Sequence, residues 1–127
     1  MSKRPALAKS ELEVARIVWQ LGEASVRQVL DALPTDRNLD FKTVQTYLRR
    51  LEAKGYLRTR REGRALVYVP RVRRDQVVRE VIDDLVQRLF GGDSLPLFQH
   101  LIHDRGLTDA EVEQLRALLD QWEDQKP

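Results

Sequence analysis

Between residues 41 and 54, polar and basic side chains recur on one face of a predicted helix. At about 100° per residue, the large apolar side chains fall on the opposite face, which predicts that this face is buried. The inward-facing residues are Val44, Tyr47, Leu48 and Leu51. The outward face and its flanks hold Lys42, Thr43, Gln45, Thr46, Arg49 and Arg50. No carboxylate interrupts this face before Glu52, so it is suited to a polyanion.

The outward side chains have the chemistry that recognises bases in the DNA major groove. Gln45 can bond adenine in bidentate fashion, and Lys42 can donate to guanine. Thr43 or Thr46 can place a methyl group against thymine or a hydroxyl against phosphate. The helix is therefore predicted to be a recognition helix.

A second group of basic residues is placed for phosphate contact. Arg49 and Arg50 lie near the helix end, where phosphate contacts position the helix without specifying sequence. After the helix the apolar period changes to 2, which predicts a β-hairpin with strands over 56–60 and 65–69 and Gly63 in the turn. Its arginines are expected to form one dense basic strip that contacts the DNA backbone or the minor groove. They are Arg58, Arg60, Arg61 and Arg64.

Two helices are predicted ahead of the recognition helix. The first extends from Ser10, with Ser10 and Glu13 as a capping box, to Gly22. The second follows the N-cap Ser25 and ends before Pro34. Three short helices followed by a hairpin are the element order of a winged helix–turn–helix.

The second half of the chain is predicted to be helical and to dimerise. Residues 77–89 carry a wide aliphatic stripe, a short helix follows Ser94, and Thr108 and Glu111 form a capping box. A stripe this wide can face its own subunit and a partner at once. The alternative is an intramolecular three-helix core. The predicted dimerisation residues are Val78, Ile82, Leu85 and Leu89, with Leu115, Leu119 and Trp122.

The fold class is therefore mainly α with a small β-hairpin, divided into a winged-helix domain over 1–72 and a helical dimerisation domain over 73–127. Charge follows the same division, because residues 1–70 carry a net charge of +6 and residues 71–127 a net charge of −4. The 127 residues include no cysteine and no apolar run of about 20 residues, and no secretory signal opens the chain. These features indicate a cytoplasmic protein.

Catalysis, metal binding and cofactor binding are not predicted. The sequence has no glycine-rich phosphate loop, paired-carboxylate motif or nucleophile signature. His100 and His103 have a spacing compatible with a metal, but they lack a further ligand cluster. Lys3, Arg4 and Lys9 form either a mobile basic arm that contacts phosphate or a solvated terminus.

Several segments resemble the penicillinase-repressor family (BlaI/MecI type) over about residues 7–122. The resemblance implies a homodimeric transcriptional repressor that binds a palindromic operator, one winged helix on each half-site. The family's Lys-Thr-x-x-Thr pattern implies DNA contacts by Lys42, Thr43 and Thr46, with Gln45 at a variable contact position. The similar segments are Leu12–Val14, Val18–Trp19, Lys42–Thr46, Leu48–Leu57, Tyr68–Pro70, Leu89–Asp93 and Leu107–Leu118.

The resemblance also bears on partners and on induction. In the best-known members, a membrane-bound sensor protease triggers cleavage of the repressor at an Asn-Phe bond. The corresponding bond here is His100-Leu101, which departs from that motif. The cysteine cluster of copper-responsive relatives is missing. The leading hypothesis is a dimeric repressor of β-lactam-resistance or related stress genes, and the alternative is a helical protein-interaction adaptor with a non-specific basic surface.

Overall fold

The fold is mainly helical with a small sheet, as the sequence predicts. The computed structural model describes residues 4–127. The chain forms two compact units that divide between Glu80 and Val81. The boundary predicted between a DNA-binding domain and a dimerisation domain, at residues 72/73, stays a prediction. The elements in chain order are α1 (Lys9–Leu21), β1 (Ala24–Ser25), α2 (Val26–Ala32), a 3₁₀ turn (Thr35–Arg37), α3 (Phe41–Ala53), β2 (Leu57–Glu62), β3 (Ala65–Pro70), α4 (Arg74–Phe90), α5 (Leu95–Arg105) and α6 (Asp109–Gln125).

Helix α1 begins earlier than predicted, and the predicted capping box of Ser10 and Glu13 is wrong. Ala8 occupies the N-cap position, and its backbone N–H donates to the Glu11 carboxylate at 2.9 Å. Glu13 instead forms an ion pair with Arg37 of the 3₁₀ turn at 2.7 Å. Contacts distant in sequence therefore decide which carboxylate caps the helix.

Helix α2 begins as predicted. The Gln28 backbone N–H donates to Ser25 Oγ at 3.2 Å, and the Ser25 N–H donates to the Gln28 side-chain oxygen at 2.9 Å. A short connection then leads to α3, where the Thr43 N–H donates to the Asp40 carboxylate at 2.8 Å. Hydrogen bonding by Thr43 lowers the pKa of Asp40. The ionised carboxylate caps the positive end of α3 and fixes where the helix starts.

The sheet has three antiparallel strands in the order β1-β3-β2, where the sequence predicts only a hairpin. Strand β1 joins it by pairing Ala24 with Tyr68 and Ser25 with Val67. Two residues are too few to show an alternating pattern, so the local sequence does not predict this strand. Strand β2 continues to Glu62, two residues beyond its predicted end, and Gly63 turns the chain at a φ of 62°.

The core of the first unit lies between α3, the two preceding helices and the sheet. Burying an aliphatic side chain stabilises a fold by about 1.5–3 kcal/mol, so the inner face of α3 fixes its orientation. Trp19 packs at the edge of this core, and its indole N–H donates to the Val72 carbonyl at 3.1 Å. The largest fully buried side chains are Val14, Ile17, Val18, Val29, Val44, Leu48, Leu51, Leu57 and Tyr68.

Residues 4–6 pack on the first unit, so Arg4 is not part of a mobile basic arm. The Arg4 guanidinium donates to both carboxylate oxygens of Glu80, at 2.6 and 2.8 Å. It also lies 5.3 Å from the centre of the Tyr56 ring. A cation held by a carboxylate and an aromatic ring is directed into the fold rather than toward phosphate. Lys9 is exposed at the start of α1, and Lys3 lies outside the described residues.

A buried ion pair joins α1 to the end of α3. Glu11 is only 2% exposed, and Lys54 Nζ lies 2.6 Å from its carboxylate. Burial raises the pKa of Glu11, but hydrogen bonds from Lys54 and Ala8 and the charge of Lys54 outweigh that effect, and the net shift is downward. Lys54 also donates to the Ala6 carbonyl at 2.9 Å. The pair therefore holds three segments together.

Local hydrogen bonds define the helix starts of the second unit. At α5, Ser94 occupies the N-cap position, but its hydroxyl makes no capping bond, and Asp93 instead accepts from the Leu95 N–H at 3.1 Å. At α6 the predicted capping box is confirmed. The Glu111 N–H donates to Thr108 Oγ1 at 3.1 Å, and the Thr108 N–H donates to Glu111 at 3.0 Å.

Burial differs sharply between the two units. Val77, near the start of α4, is buried in the core of the first unit, whereas no residue from 81 to 127 is buried. The second unit therefore forms no intramolecular three-helix core. Within residues 4–127, none of the helices combines the length and apolar character that crossing a bilayer requires.

We expect Lys54→Met to destabilise the fold by about 3 kcal/mol at pH 7, because it leaves the Glu11 carboxylate buried without its cation. The pKa of Glu11 is lower in the folded state than in the unfolded state, where it is about 4.3. The ion pair therefore contributes its full stabilisation above about pH 4.3. That contribution is lost as the pH falls through the lowered folded-state pKa. Urea unfolding at pH 7 and pH 3 measures both effects, and the gap between variant and wild type narrows in acid.

Lys9→Met is the matched control, because Lys9 is exposed on the same helix α1. Its free energy of unfolding should stay within about 0.5 kcal/mol of wild type. Equal stability of the two variants at pH 7 would show that the buried pair does not stabilise the fold.

Candidate nucleic-acid interface

Helix α3 presents one polar face to solvent. Lys42, Thr46 and Arg49 are exposed, whereas Val44 and Leu48 on the opposite side have no exposed surface. The periodicity of the sequence predicted this orientation. The outward residues are thus available to a ligand as large as a DNA duplex.

The hydroxyl of Thr46 is already engaged within α3. Its Oγ1 donates to the Lys42 carbonyl one turn earlier, at 3.0 Å. A threonine that bonds back to the helix in this way has committed its only donor. Contact between the Thr46 methyl group and a thymine methyl is therefore favoured over donation to phosphate.

Three further predicted contact residues lie at the flanks of this face. Gln45 and Thr43 are half-buried, and Arg50 is exposed. Arg50 is also close enough to the Glu11 carboxylate for its charge to help lower the pKa of that group. Arg50 therefore lies toward α1, on the side of α3 away from Gln45.

The wing does not form the single basic strip that the sequence predicts. Thr59 donates to Glu52 of α3 at 3.0 Å, so its face of β2 is directed toward the recognition helix. Successive side chains of a strand point to opposite faces. Arg61 therefore shares the face of Thr59, and Arg58 and Arg60 lie on the other face.

Arg60 is neutralised by two carboxylates. Its guanidinium forms ion pairs with Glu23, which precedes β1, and with Glu62 on its own strand, the latter at 3.2 Å. Hydrogen bonding to Glu23 is the main reason that its pKa is raised. Within residues 4–127, Lys42, Arg49, Arg50, Arg61 and Arg64 form no ion pair. Arg58, on the same face of β2 as Arg60, is exposed and also forms no ion pair in this part of the chain. The phosphate-binding capacity of the wing is thus carried by Arg58, Arg61 and Arg64 rather than by Arg60.

The residues predicted for dimerisation are large apolar side chains of α4 and of α6, and most of them are exposed. Leu85 is half-buried, and the others are exposed, up to 70% for Leu89. Contiguous exposed apolar patches are typical of protein–protein interaction sites, so the dimerisation role of these residues stays a prediction. The exposed members are Val78, Ile82, Leu89, Leu115, Leu119 and Trp122.

The two histidines lie on α5, and neither is buried. His100 Nδ1 is 2.8 Å from the Asp104 carboxylate, one helical turn away. No group of three or more metal-ligating side chains occurs among the described residues. The arrangement is that of an exposed pair within one helix.

The comparisons with known proteins agree with this geometry. The family model described as penicillinase repressor matches residues 7–121. The chain is 26% identical to the penicillinase repressor of Bacillus licheniformis over 126 residues, 99% of this chain and 98% of that protein. It is 33% identical to an uncharacterized 16.5 kDa protein of Latilactobacillus sakei over 113 residues, 89% of this chain and 77% of that protein.

A solved structure supports the same assignment. The monomeric form of Bacillus licheniformis BlaI, in complex with the blaP half-operator, matches with a TM-score of 0.50 and 35% identity. The match covers 59% of this chain and 92% of that chain. The chain belongs to the penicillinase repressor family. It is a winged-helix, DNA-binding transcriptional repressor and not an enzyme, as the sequence predicts.

We expect Arg61→Ala to weaken binding of this repressor to all duplexes about equally. Loss of one phosphate contact should flatten the slope of log affinity against log salt by about 1. Arg60→Ala is the matched comparison on the same strand, and its slope should change less because Glu23 and Glu62 neutralise that guanidinium. Fluorescence anisotropy at several salt concentrations measures both slopes. Equal flattening by the two variants would contradict the division of the wing.

Proposed function

We propose that this repressor binds a palindromic operator as a homodimer and blocks transcription by occupying a promoter. The observation that carries the proposal is the outward face of α3, where cations and an amide stand without a carboxylate above a fully buried aliphatic face. Such a face combines attraction to phosphate with side chains able to contact base edges. A repressor acting on chromosomal DNA works in the cytoplasm.

Within each half-site, base contact and phosphate contact fall to different residues. Gln45 is assigned to adenine, Lys42 to guanine, and the methyl groups of Thr43 and Thr46 to thymine. The remaining residues are assigned to phosphate, which fixes the position of the winged helix on the duplex. They are Arg49, Arg50, Arg61 and Arg64, with Arg60 contributing less.

Dimerisation is assigned to residues 73–127, and DNA binding to residues 1–72. No side chain of the second unit is fully buried, and Trp122 and Leu119 are 58% and 65% exposed. A helical unit without buried apolar side chains gains little free energy from folding alone, so it needs a partner surface. A second copy of the chain supplies one by symmetry, and a pseudo-palindromic operator matches that symmetry.

Regulated cleavage by a sensor protease or a downstream protease is the least supported part of the family pattern here. The His100-Leu101 bond lies inside α5, and proteases attack exposed, irregular segments most readily. Cleavage would first require local unfolding of α5. We therefore propose that the repressor releases its operator by a route other than cleavage of a preformed loop. From the family we further propose that it controls β-lactam-resistance or related stress genes.

We expect the wild-type protein to bind a palindromic duplex, selected from a random-sequence library, at least about 10³-fold more tightly than random duplex. Gln45→Ala should relax the preference at one base pair of each half-site, at a cost of about 1–3 kcal/mol. Competition binding against single-base variants of the selected duplex locates that position. A wild-type protein with no sequence preference would refute the operator proposal and favour the adaptor.

We expect Ile82→Asp to yield monomers that lose most operator affinity, because a carboxylate would have to be buried in the proposed interface. Sedimentation velocity measures the mass, and operator titration measures the affinity. Asp83→Ala, at the exposed neighbouring position of α4, should leave both unchanged. An Ile82→Asp protein that sediments as a dimer would place the interface elsewhere.

A further inference from the structure

Phe41 is an exposed aromatic residue at the first position of α3. Its side chain is 40% exposed, and the Arg27 guanidinium of α2 lies 5.3 Å from the ring centre. Stacking of a guanidinium on an exposed ring is worth about 0.5–1 kcal/mol, enough to bias the ring orientation without burying it.

The position of Phe41 on the helix connects it to the proposed base contacts. It lies four residues before Gln45, so the two side chains are neighbours on one flank of α3. It also directly precedes Lys42. The ring therefore extends the recognition face toward α2, one helical turn beyond the amide assigned to adenine.

Arg27 is placed to act beside the ring. It is exposed, and it has no ion-pair partner in residues 4–127. Its charge is therefore not neutralised by a carboxylate, unlike that of Arg60. A guanidinium beside an apolar base contact is suited to the phosphate of the same nucleotide or of its neighbour.

We propose that Phe41 contacts the C5-methyl group of a thymine in each half-site, and that Arg27 positions the ring while binding an adjacent phosphate. The inference rests on the proposed operator binding. In the major groove the thymine methyl is an apolar group that phenylalanine can cover, and no other standard DNA base carries it. Phe41 would thus add a preference for thymine beyond the one assigned to the methyl groups of Thr43 and Thr46.

Replacing thymine by deoxyuridine removes that methyl group and nothing else. The probe is the duplex that the wild-type protein selects from a random library, remade with each half-site thymine replaced singly by deoxyuridine. We expect the replacement next to the base pair that Gln45→Ala relaxes to lower wild-type affinity about fourfold, the value of one buried methyl group. Phe41→Ala should show no loss at that position while remaining sensitive to the base pair assigned to Gln45. Any loss at the thymines assigned to Thr43 and Thr46 should persist in the Phe41 variants.

Two further variants separate recognition from folding. Phe41→Leu keeps an apolar side chain at the helix start and should retain part of the methyl dependence if Phe41→Ala folds poorly. Arg27→Gln should reduce the methyl dependence and flatten the salt slope by about 1. Arg16→Gln, at an exposed position of α1, is the control and should change neither.

Three outcomes would overturn the inference while leaving operator binding intact. They are a selected half-site without thymine, a wild-type protein indifferent to every deoxyuridine replacement, and unchanged methyl dependence in both Phe41 variants. A wild-type protein that selects no sequence at all would instead refute the proposed function, and the inference with it.

Discussion

The packing of Val44, Leu48 and Leu51 beneath α3 is the interaction on which the DNA-binding surface depends. These three side chains have no exposed surface, so α3 cannot rotate without exposing them. Rotation by one residue position, about 100°, would bring the aliphatic face toward solvent and take the polar face away from it. The Asp40 cap and the Lys54–Glu11 pair fix the two ends of the same helix. The chemistry of the outward face therefore follows from burial of the inward one.

Electrostatic pairing then determines which cations remain available to DNA. A count of basic residues would give Arg4, Arg60 and Arg61 equal weight, yet Arg4 pairs with Glu80 and Arg60 with Glu23. Binding phosphate through either arginine would mean giving up a contact that the folded chain already makes. Arg61 can bind phosphate without breaking an ion pair, and the same holds for the exposed cations of α3. The basic surface that faces DNA is consequently smaller than the composition indicates, and it is centred on α3 and the tip of the wing.

Local patterns predicted the elements of the fold well, and they failed where the structure depends on contacts distant in sequence. The inner face of α3, the Ser25 and Thr108 capping boxes and the glycine turn at Gly63 were predicted correctly, because each depends on residues within one or two turns. Strand β1, the packing of Arg4 and the pairing of Arg60 with Glu23 were not. Each joins residues 37 or more positions apart, and nothing in the local sequence distinguishes these partners from other carboxylates or strands. The contacts of Lys42, Gln45 and Thr46 with bases stay predictions.

The proposed dimerisation of the second unit would link its folding to DNA binding. No side chain of residues 81–127 is fully buried, so association with a second copy would supply much of the free energy that orders these helices. A single winged helix makes few base contacts. When two winged helices are joined, binding of the first to its half-site holds the second close to the other half-site, so the second binding step becomes effectively intramolecular. Burial of the exposed leucines of α4 and α6 in a dimer would then stabilise the second unit. It would also join the two winged helices that bind the two half-sites. Any signal that separates these helices would lower operator affinity without altering a residue that contacts DNA.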